Sequence, residues 1–232
     1  TLSQGVPLAQ TDDLVAQGFA ESQGDEPDGL GALPTLALGT GELLNGGFTI
    51  ADPLDPGFGW ALSGAAGVEG GQGVLRESDQ FMSGFAQTFV IPDGARTLRF
   101  TLTRMAFGDN GGASPPDAFE VALLDAATGQ SIVGTAAGLT LTDAFLNIQT
   151  GGQAFFASTV APAGAGQSGG TLGLGGAIEV TVDLGGVAVG TVATLYFDLL
   201  GFGALDSSVI VDAVILAAEA GGGPTTPTVT MV

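Results

Sequence analysis

The feature that most constrains the fold is a strict alternation of apolar and polar residues in short runs. In RTLRFTLTR the apolar side chains occupy every second position from Leu98 to Leu102, and IEVTVDL repeats the pattern from Ile178 to Leu184. Successive side chains of a β-strand point to opposite faces, so this period places one apolar face against a core. Gly, Asn, Asp and Pro separate the runs at intervals typical of sandwiches. We therefore expect an all-β fold, an antiparallel, jelly-roll-like β-sandwich.

The composition along the chain predicts three parts. Residues 1–41 contain six acids and no basic residue, broken by proline and glycine, which indicates an extended acidic arm. Residues 42–218 contain the alternating runs and are the expected sandwich domain. Residues 219–232, EAGGGPTTPTVTMV, are typical of a linker or of a docking strand.

The charge of the chain limits its partners. It carries 4 arginines, no lysine and 24 acids, a net charge of −20. Nucleic acid needs a cationic footprint and is excluded as a partner. No apolar run approaches the length of about 20 residues that spanning a bilayer needs, so no membrane insertion is expected. The excess of carboxylates, which are hard oxygen ligands, favours the binding of Ca²⁺. A salty medium would screen the repulsion between these charges, so we expect a secreted protein at the outer surface of a cell.

The absence of several side chains argues against catalysis. The chain has no cysteine, histidine or lysine, so the usual bases and nucleophiles are missing and we expect no enzyme. Paired carboxylates, as in glycoside hydrolysis, are the one chemistry left open. Glu69, Glu77, Asp79 and Glu120 are the acids available for it, but nothing in the sequence sets any two at a catalytic separation.

The two ends of the expected domain carry its most specific motifs. They read ELLNGGFTIADPLDPGFGWALSG and DSSVIVDAVILA. This pair resembles the calcium-stabilised, galactose-binding-like jelly rolls found in carbohydrate-binding modules. The resemblance implies that the first and last strands lie close together and share a calcium site, to which Asn45 and Asp212 correspond. The family's acid after Phe is Thr49 here, and the second acid of its closing pair is Ala213.

A second pair of segments repeats one arrangement. FGDNGGASPPDAFEVALLD (107–125) and GFGALDSSVIVDAVI (201–215) each contain Phe and Gly, an acidic loop and a strand. They resemble the acidic repeats of bacterial surface adhesins, and antiparallel connectivity brings such loops to one end of a sandwich. On this interpretation Asp109, Asn110, Asp117 and Asp206 form a second calcium site. The alternative is that these residues only form Asx turns in Gly/Pro loops.

Phe58 and Trp60 are the sequence's candidates for a carbohydrate-binding face. Trp60 is the only tryptophan, and an exposed aromatic ring stacks well on a sugar. The alternative is a place in the core, which the 14 phenylalanines of the chain favour.

These observations favour a structural or adhesive module of a bacterial surface. We expect its arm or its tail to add a strand to the sheet edge of a neighbouring copy, which builds a homo-oligomer or filament. The alternative is a carbohydrate-binding module with a polysaccharide partner, and a sandwich-type hydrolase is the third interpretation.

Overall fold

The computed structural model describes residues 42–108, 115–163, 170–202 and 206–218. The arm at 1–41 and the tail at 219–232, both predicted from sequence, lie outside these residues. The described chain forms thirteen strands and one 3-10 turn at Thr150–Gly152, with no α-helix, and none of it is a helix long and apolar enough to cross a membrane. The strands are β1 (Ala61–Ser63), β2 (Ala65–Glu69), β3 (Gln72–Arg76), β4 (Met82–Val90), β5 (Ala95–Ala106), β6 (Ala118–Asp125), β7 (Leu146–Gln149), β8 (Gln153–Phe156), β9 (Val160–Pro162), β10 (Gly170–Thr171), β11 (Ile178–Asp183), β12 (Val192–Leu200) and β13 (Ser208–Ala218).

The strands form two antiparallel sheets. Sheet A has seven strands in the order β1-β4-β12-β6-β7-β8-β10, and sheet B has six in the order β2-β3-β13-β5-β11-β9. The chain crosses between the sheets at every connection of successive strands except those from β2 to β3 and from β6 to β8. The last two strands lie inside their sheets, β12 between β4 and β6 and β13 between β3 and β5, and the predicted antiparallel β-sandwich is confirmed.

The core consists of the alternating side chains and a group of aromatic rings between the sheets. In sheet B, Val180 of β11 lies opposite Phe100 of β5, and both are buried. Phe197 of β12 contacts three further rings, with centroid distances of 6.0 Å to Trp60, 5.1 Å to Phe100 and 6.4 Å to Phe119. The period of two that predicted the strands thus also predicts which side chains face the core.

The opening segment of the domain lies beside its last strand. The Val214 amide donates a 2.8 Å hydrogen bond to the carbonyl oxygen of Gly46. A Cβ at Gly46 would overlap the Val214 carbonyl oxygen, so only glycine permits this approach. A β-bulge around Ala213, whose φ is 51°, shifts the register of β13 against β5 directly after Asp212. The resemblance had implied this proximity of the first and last segments.

Candidate functional site

Three carboxylates converge at one end of the sandwich. Glu77 follows β3, Asp117 precedes β6 and Asp206 precedes β13, and one oxygen of each lies within 4.8 Å of the others. The pairing of Ser208 with Arg76 brings the end of β3 to the start of β13. We call Glu77, Asp117 and Asp206 the acidic cluster.

Neutral donors hold the acidic cluster in place. The Glu77 Oε2 accepts 3.1 Å hydrogen bonds from the backbone amides of Asp206 and Ser207. The Asp117 carboxylate accepts from the Phe202 amide at 2.7 Å and from the Ser207 hydroxyl at 2.6 Å. Asp117 is 1% exposed and Glu77 9%, whereas Asp206 is exposed. Among the described residues, these two nearly buried carboxylates contact N–H and O–H donors and no basic side chain, although buried charges are normally paired with an opposite charge.

Two glycines give the acidic cluster its room. A Cβ at Gly108 would overlap the Asp206 carboxylate, and a Cβ at Gly201 would overlap the Glu77 side chain. Gly108 follows Phe107 and Gly201 precedes Phe202, so each belongs to one of the two Phe/Gly segments that the sequence repeats. These two glycines thus allow the acids of the cluster to approach the chain closely.

The structure tests the geometry of the second predicted calcium site in part. It brings Asp117 and Asp206 together, as the repeated segments predicted, and adds Glu77, which the sequence offered only as a glycosidase carboxylate. Asp109 and Asn110 lie outside the described residues. Glu77 was missed because the pairing of β3 with β13 joins residues far apart in the chain. That these acids bind calcium stays a prediction.

Asn45 and Asp212 have other partners in this structure. The Asn45 side chain accepts from the Ile50 amide at 3.0 Å and donates to the carbonyl oxygens of Ile50 at 2.8 Å and Phe58 at 3.3 Å. The Asp212 carboxylate accepts from the Ala213 amide at 2.7 Å and from the Gln72 side chain at 3.3 Å. The Asn45 side chain thus stabilises the loop from Asn45 to Phe58 through hydrogen bonds to its backbone. Among the described acids, Asp212 joins no group of three, and the site that the resemblance implies there stays a prediction.

The placement of Phe58 and Trp60 on a sugar-binding face needs correction. Phe58 is 2% exposed and Trp60 5%, so neither ring offers a face to a ligand. Trp60 stacks on Phe48 with a centroid distance of 5.3 Å, and its indole N–H donates to the Asn45 carbonyl oxygen at 3.2 Å. The aromatic core takes both rings because burial of their large apolar surface stabilises the fold more than exposure does. The alternative interpretation, a place in the core, is confirmed.

A second group of acids, which is a pair, lies on the outer face of sheet A. Asp198 of β12 is directly opposite Glu120 of β6, and Glu120 is in turn opposite Asn147 of β7. The neighbours of Asp198, Phe197 and Leu199, are buried in the core, so Asp198 points away from it. The Asn147 amide donates a 2.6 Å hydrogen bond to the Glu120 carboxylate. We call Asp198 and Glu120 the outer-face pair.

The surroundings of the outer-face pair disfavour negative charge. Burial, and then the charges of Glu120 and Asp143, raise the pKa of Asp198 to about 7. Burial also raises the pKa of Glu120, against the lowering effect of the Asn147 hydrogen bond, and the charge of Asp143 raises it further. Glu120 was expected on the solvent face, and it lies on the outer face but partly buried. Asp198 was not predicted as a site residue from the sequence, although it is the one acid in the apolar run ATLYFDLLGFG.

Comparisons with known proteins assign this chain to no family. No protein-family model matches the chain, and no curated protein matches it significantly. The functional interpretation therefore rests on the structure and the sequence of the chain itself.

Asp198→Asn is expected to weaken the dependence of stability on pH. The folded-state pKa of Asp198, about 7, lies above the ordinary value of 3.8. The folded chain therefore holds a proton that the unfolded chain releases, and this contribution is full below about pH 4 and lost as the pH rises through about 7. At pH 8 the variant should be more stable than the native chain by about 1–3 kcal/mol, and the difference should shrink towards pH 4.

Denaturant unfolding at a series of pH values measures this difference. Asp183→Asn, which changes an exposed aspartate of sheet B, is the matched control and should keep the native pH profile. A parallel pH profile for Asp198→Asn and the native chain would show that Asp198 is charged at neutral pH.

Proposed function

We propose that this chain is a non-catalytic module of a bacterial surface, a secreted, calcium-stabilised sandwich that assembles with further copies through its terminal segments. The observation that carries the proposal is an open edge on sheet B. The proposal that the module is non-catalytic rests on the absence of histidine, cysteine and lysine from the chain.

The edge strand β2 has the properties of a docking site. Within the described residues, the other sheet edges are short: β1 has three residues, β10 has two, and β9 has three and ends in Pro162. Proteins commonly protect their edges by such shortness and by proline or lysine. β2 has five residues, contains no proline, and carries its one charge at the end, on Glu69. Within the described residues no strand pairs with the outer edge of β2, where an added strand could pair beyond the Ala65 amide, which donates to the Ser83 hydroxyl at 2.9 Å.

The sequence of the arm supplies a matching partner. Its segment LGALPTLALGT is apolar and rich in leucine, and strand addition uses backbone hydrogen bonds with pockets for alternate side chains. Each copy carries a net charge of −20, so assembly should strengthen when salt or divalent ions screen the repulsion between copies.

Removal of residues 1–41, or Gly67→Lys in β2, is expected to abolish assembly. A Cβ at Gly67 would meet no atom within 4 Å, so lysine fits there and puts a charge at the middle of the edge. Gly186→Lys, at an equally open glycine between β11 and β12, is the matched control and should assemble normally. Sedimentation velocity and electron microscopy distinguish assemblies from monomers. Assembly that survives truncation would exclude the arm, and assembly that survives Gly67→Lys would exclude the β2 edge.

The acidic cluster supports the calcium part of the proposal. Ca²⁺ binds six to eight hard oxygens, and three carboxylates supply the charged share of such a set. Within the described residues the ion pairs are Arg76 with Glu69 and Arg99 with Glu179, so no arginine neutralises the cluster. A calcium ion there would neutralise Glu77 and Asp117 and link the ends of three strands.

Chelation is expected to lower the melting temperature of the native chain by about 4–8 °C, because a ligand that binds only the folded state stabilises it. Asp206→Ala should weaken this dependence, since it deletes a carboxylate of the cluster and keeps the Asp206 amide that binds Glu77. Asp79→Ala, at an exposed acid close to Glu77 in the chain, is the matched control and should behave like the native chain. Melting curves with calcium and with EDTA give the answer, and a native curve unaffected by EDTA contradicts a calcium ion in the cluster.

A carbohydrate-binding module is the second candidate, and one exposed aromatic favours it. Phe81 is 57% exposed and packs edge-on against Phe202, with ring centroids 4.8 Å apart. The Gly201 amide donates to the Phe81 carbonyl oxygen at 3.1 Å, which fixes this pair beside the acidic cluster. An exposed ring among polar residues suits stacking on a pyranose.

Phe81→Ala is expected to weaken retention on an insoluble polysaccharide by about 1 kcal/mol if the module binds sugars. Pulldown with cellulose, chitin and xylan measures it. Leu54→Ala, at an apolar residue that is 90% exposed, controls for loss of a surface side chain. Equal retention of all three proteins, or none for the native chain, would reject this candidate site.

A further inference from the structure

One buried oxygen beside the outer-face pair has no partner. Asn147 is 3% exposed, and its Nδ2 donates to the Glu120 carboxylate at 2.6 Å. Its Oδ1 is buried and accepts no hydrogen bond from any part of the chain that the structure describes. An unsatisfied buried carbonyl oxygen lowers stability, and it points to a water molecule or an ion as its partner.

The register places this oxygen in a row of hard ligands. Asp198, Glu120 and Asn147 are successive cross-strand neighbours on β12, β6 and β7. Directly opposite residues of antiparallel strands have Cβ atoms about 4.5–5.5 Å apart, so Glu120, in the middle of the row, lies beside both Asp198 and Asn147. Opposite Asp198 on its other side is Gly84, where a Cβ would overlap the Asp198 carboxylate, so the row has room only because a glycine stands there.

The sandwich offers this row no positive charge of its own. All four arginines lie on sheet B, Arg76 on β3 and Arg96, Arg99 and Arg104 on β5, and the chain has no lysine. Two acids directly opposite each other destabilise a sheet, and Asp143 adds a third negative charge to their surroundings. No side chain of sheet A supplies a positive charge to this row, and a bound cation would supply it.

We propose that Glu120, Asp198 and the Asn147 Oδ1 form a binding site for a divalent cation on the outer face of sheet A. Carboxylate and amide oxygens are the ligands that Ca²⁺ and Mg²⁺ take, with water in the remaining positions. The site gives the unpartnered amide oxygen a partner and neutralises the two acids. It is distinct from the acidic cluster at the end of the sandwich and does not depend on the function proposed above.

Tyr196 makes the site measurable. It is the only tyrosine of the chain, and it lies on the same face of β12 as Asp198, about 7 Å away along the strand. Terbium replaces calcium at oxygen sites and emits when an excited aromatic ring lies near it. Titration of the native chain with Tb³⁺, with excitation in the tyrosine band, should give a saturable signal that Ca²⁺ displaces.

Four variants separate the outcomes. Glu120→Gln and Asp198→Asn should each weaken terbium binding at this site by at least about tenfold. Tyr196→Phe should weaken the sensitised signal, to which Trp60 also contributes because its ring lies 6.0 Å from that of Phe197, and leave the number of calcium ions bound, measured by calorimetry, unchanged. Glu179→Gln, at an exposed carboxylate on sheet B, is the matched control and should bind as the native chain does.

Asp206→Ala distinguishes this site from the acidic cluster. It should keep the tyrosine-sensitised signal, and a signal lost in Asp206→Ala but kept in Glu120→Gln and Asp198→Asn would place the ion in the cluster and overturn the proposal. Native affinity in a folded Glu120→Gln/Asp198→Asn double variant would overturn it as well, as would a native chain that gives no tyrosine-sensitised signal. Circular dichroism of each variant checks that it is folded.

Discussion

The burial of alternating side chains between two sheets is the constraint on which the other features depend. Phe197 and Leu199 of β12 and Phe119 and Val121 of β6 all face the core, and the register sets Phe197 opposite Val121 and Leu199 opposite Phe119. Asp198, between Phe197 and Leu199, and Glu120, between Phe119 and Val121, must therefore both face outward, and the register sets them opposite each other. The core therefore forces Asp198 and Glu120 together, and no local property of either acid is needed to explain their meeting.

The same packing leaves the two outer faces with different electrostatics. Arginines alternate with core residues along β5, where Arg99 lies 3.9 Å from Glu179 of the adjacent β11. Sheet A has no basic residue, so its central acids face only one another, Asp143 and neutral groups. A net charge of −20 spread evenly would attract cations to no particular place, whereas this distribution concentrates a negative field on one face.

The sequence predicts what is local and misses what depends on pairing. Alternation from Leu98 to Leu102 predicted a strand and its buried face, and the repeated Phe/Gly segments predicted that Asp117 and Asp206 meet. Glu77 joins them only because β3 pairs with β13, a contact between residues far apart in the chain. Asp198 and Glu120 required the register of two strands more than 70 residues apart, which no short motif encodes. The sequence left the position of Trp60 open between the surface and the core, because the burial of a ring depends on the neighbours that the fold brings to it.

The two acidic groups differ in what they do for the fold itself. In the acidic cluster, Glu77 and Asp117 accept hydrogen bonds from backbone amides and a hydroxyl that join the ends of strands, so these carboxylates stabilise the sandwich even as bare anions. The outer-face pair receives one donor, the Asn147 amide, and leaves that amide's oxygen without a partner. A protein gains no stability from such a pair, since well-packed neutral residues would cost less. Acids that destabilise a fold are characteristic of a site that binds or reacts, and the unpartnered oxygen beside them is a ligand for a metal ion.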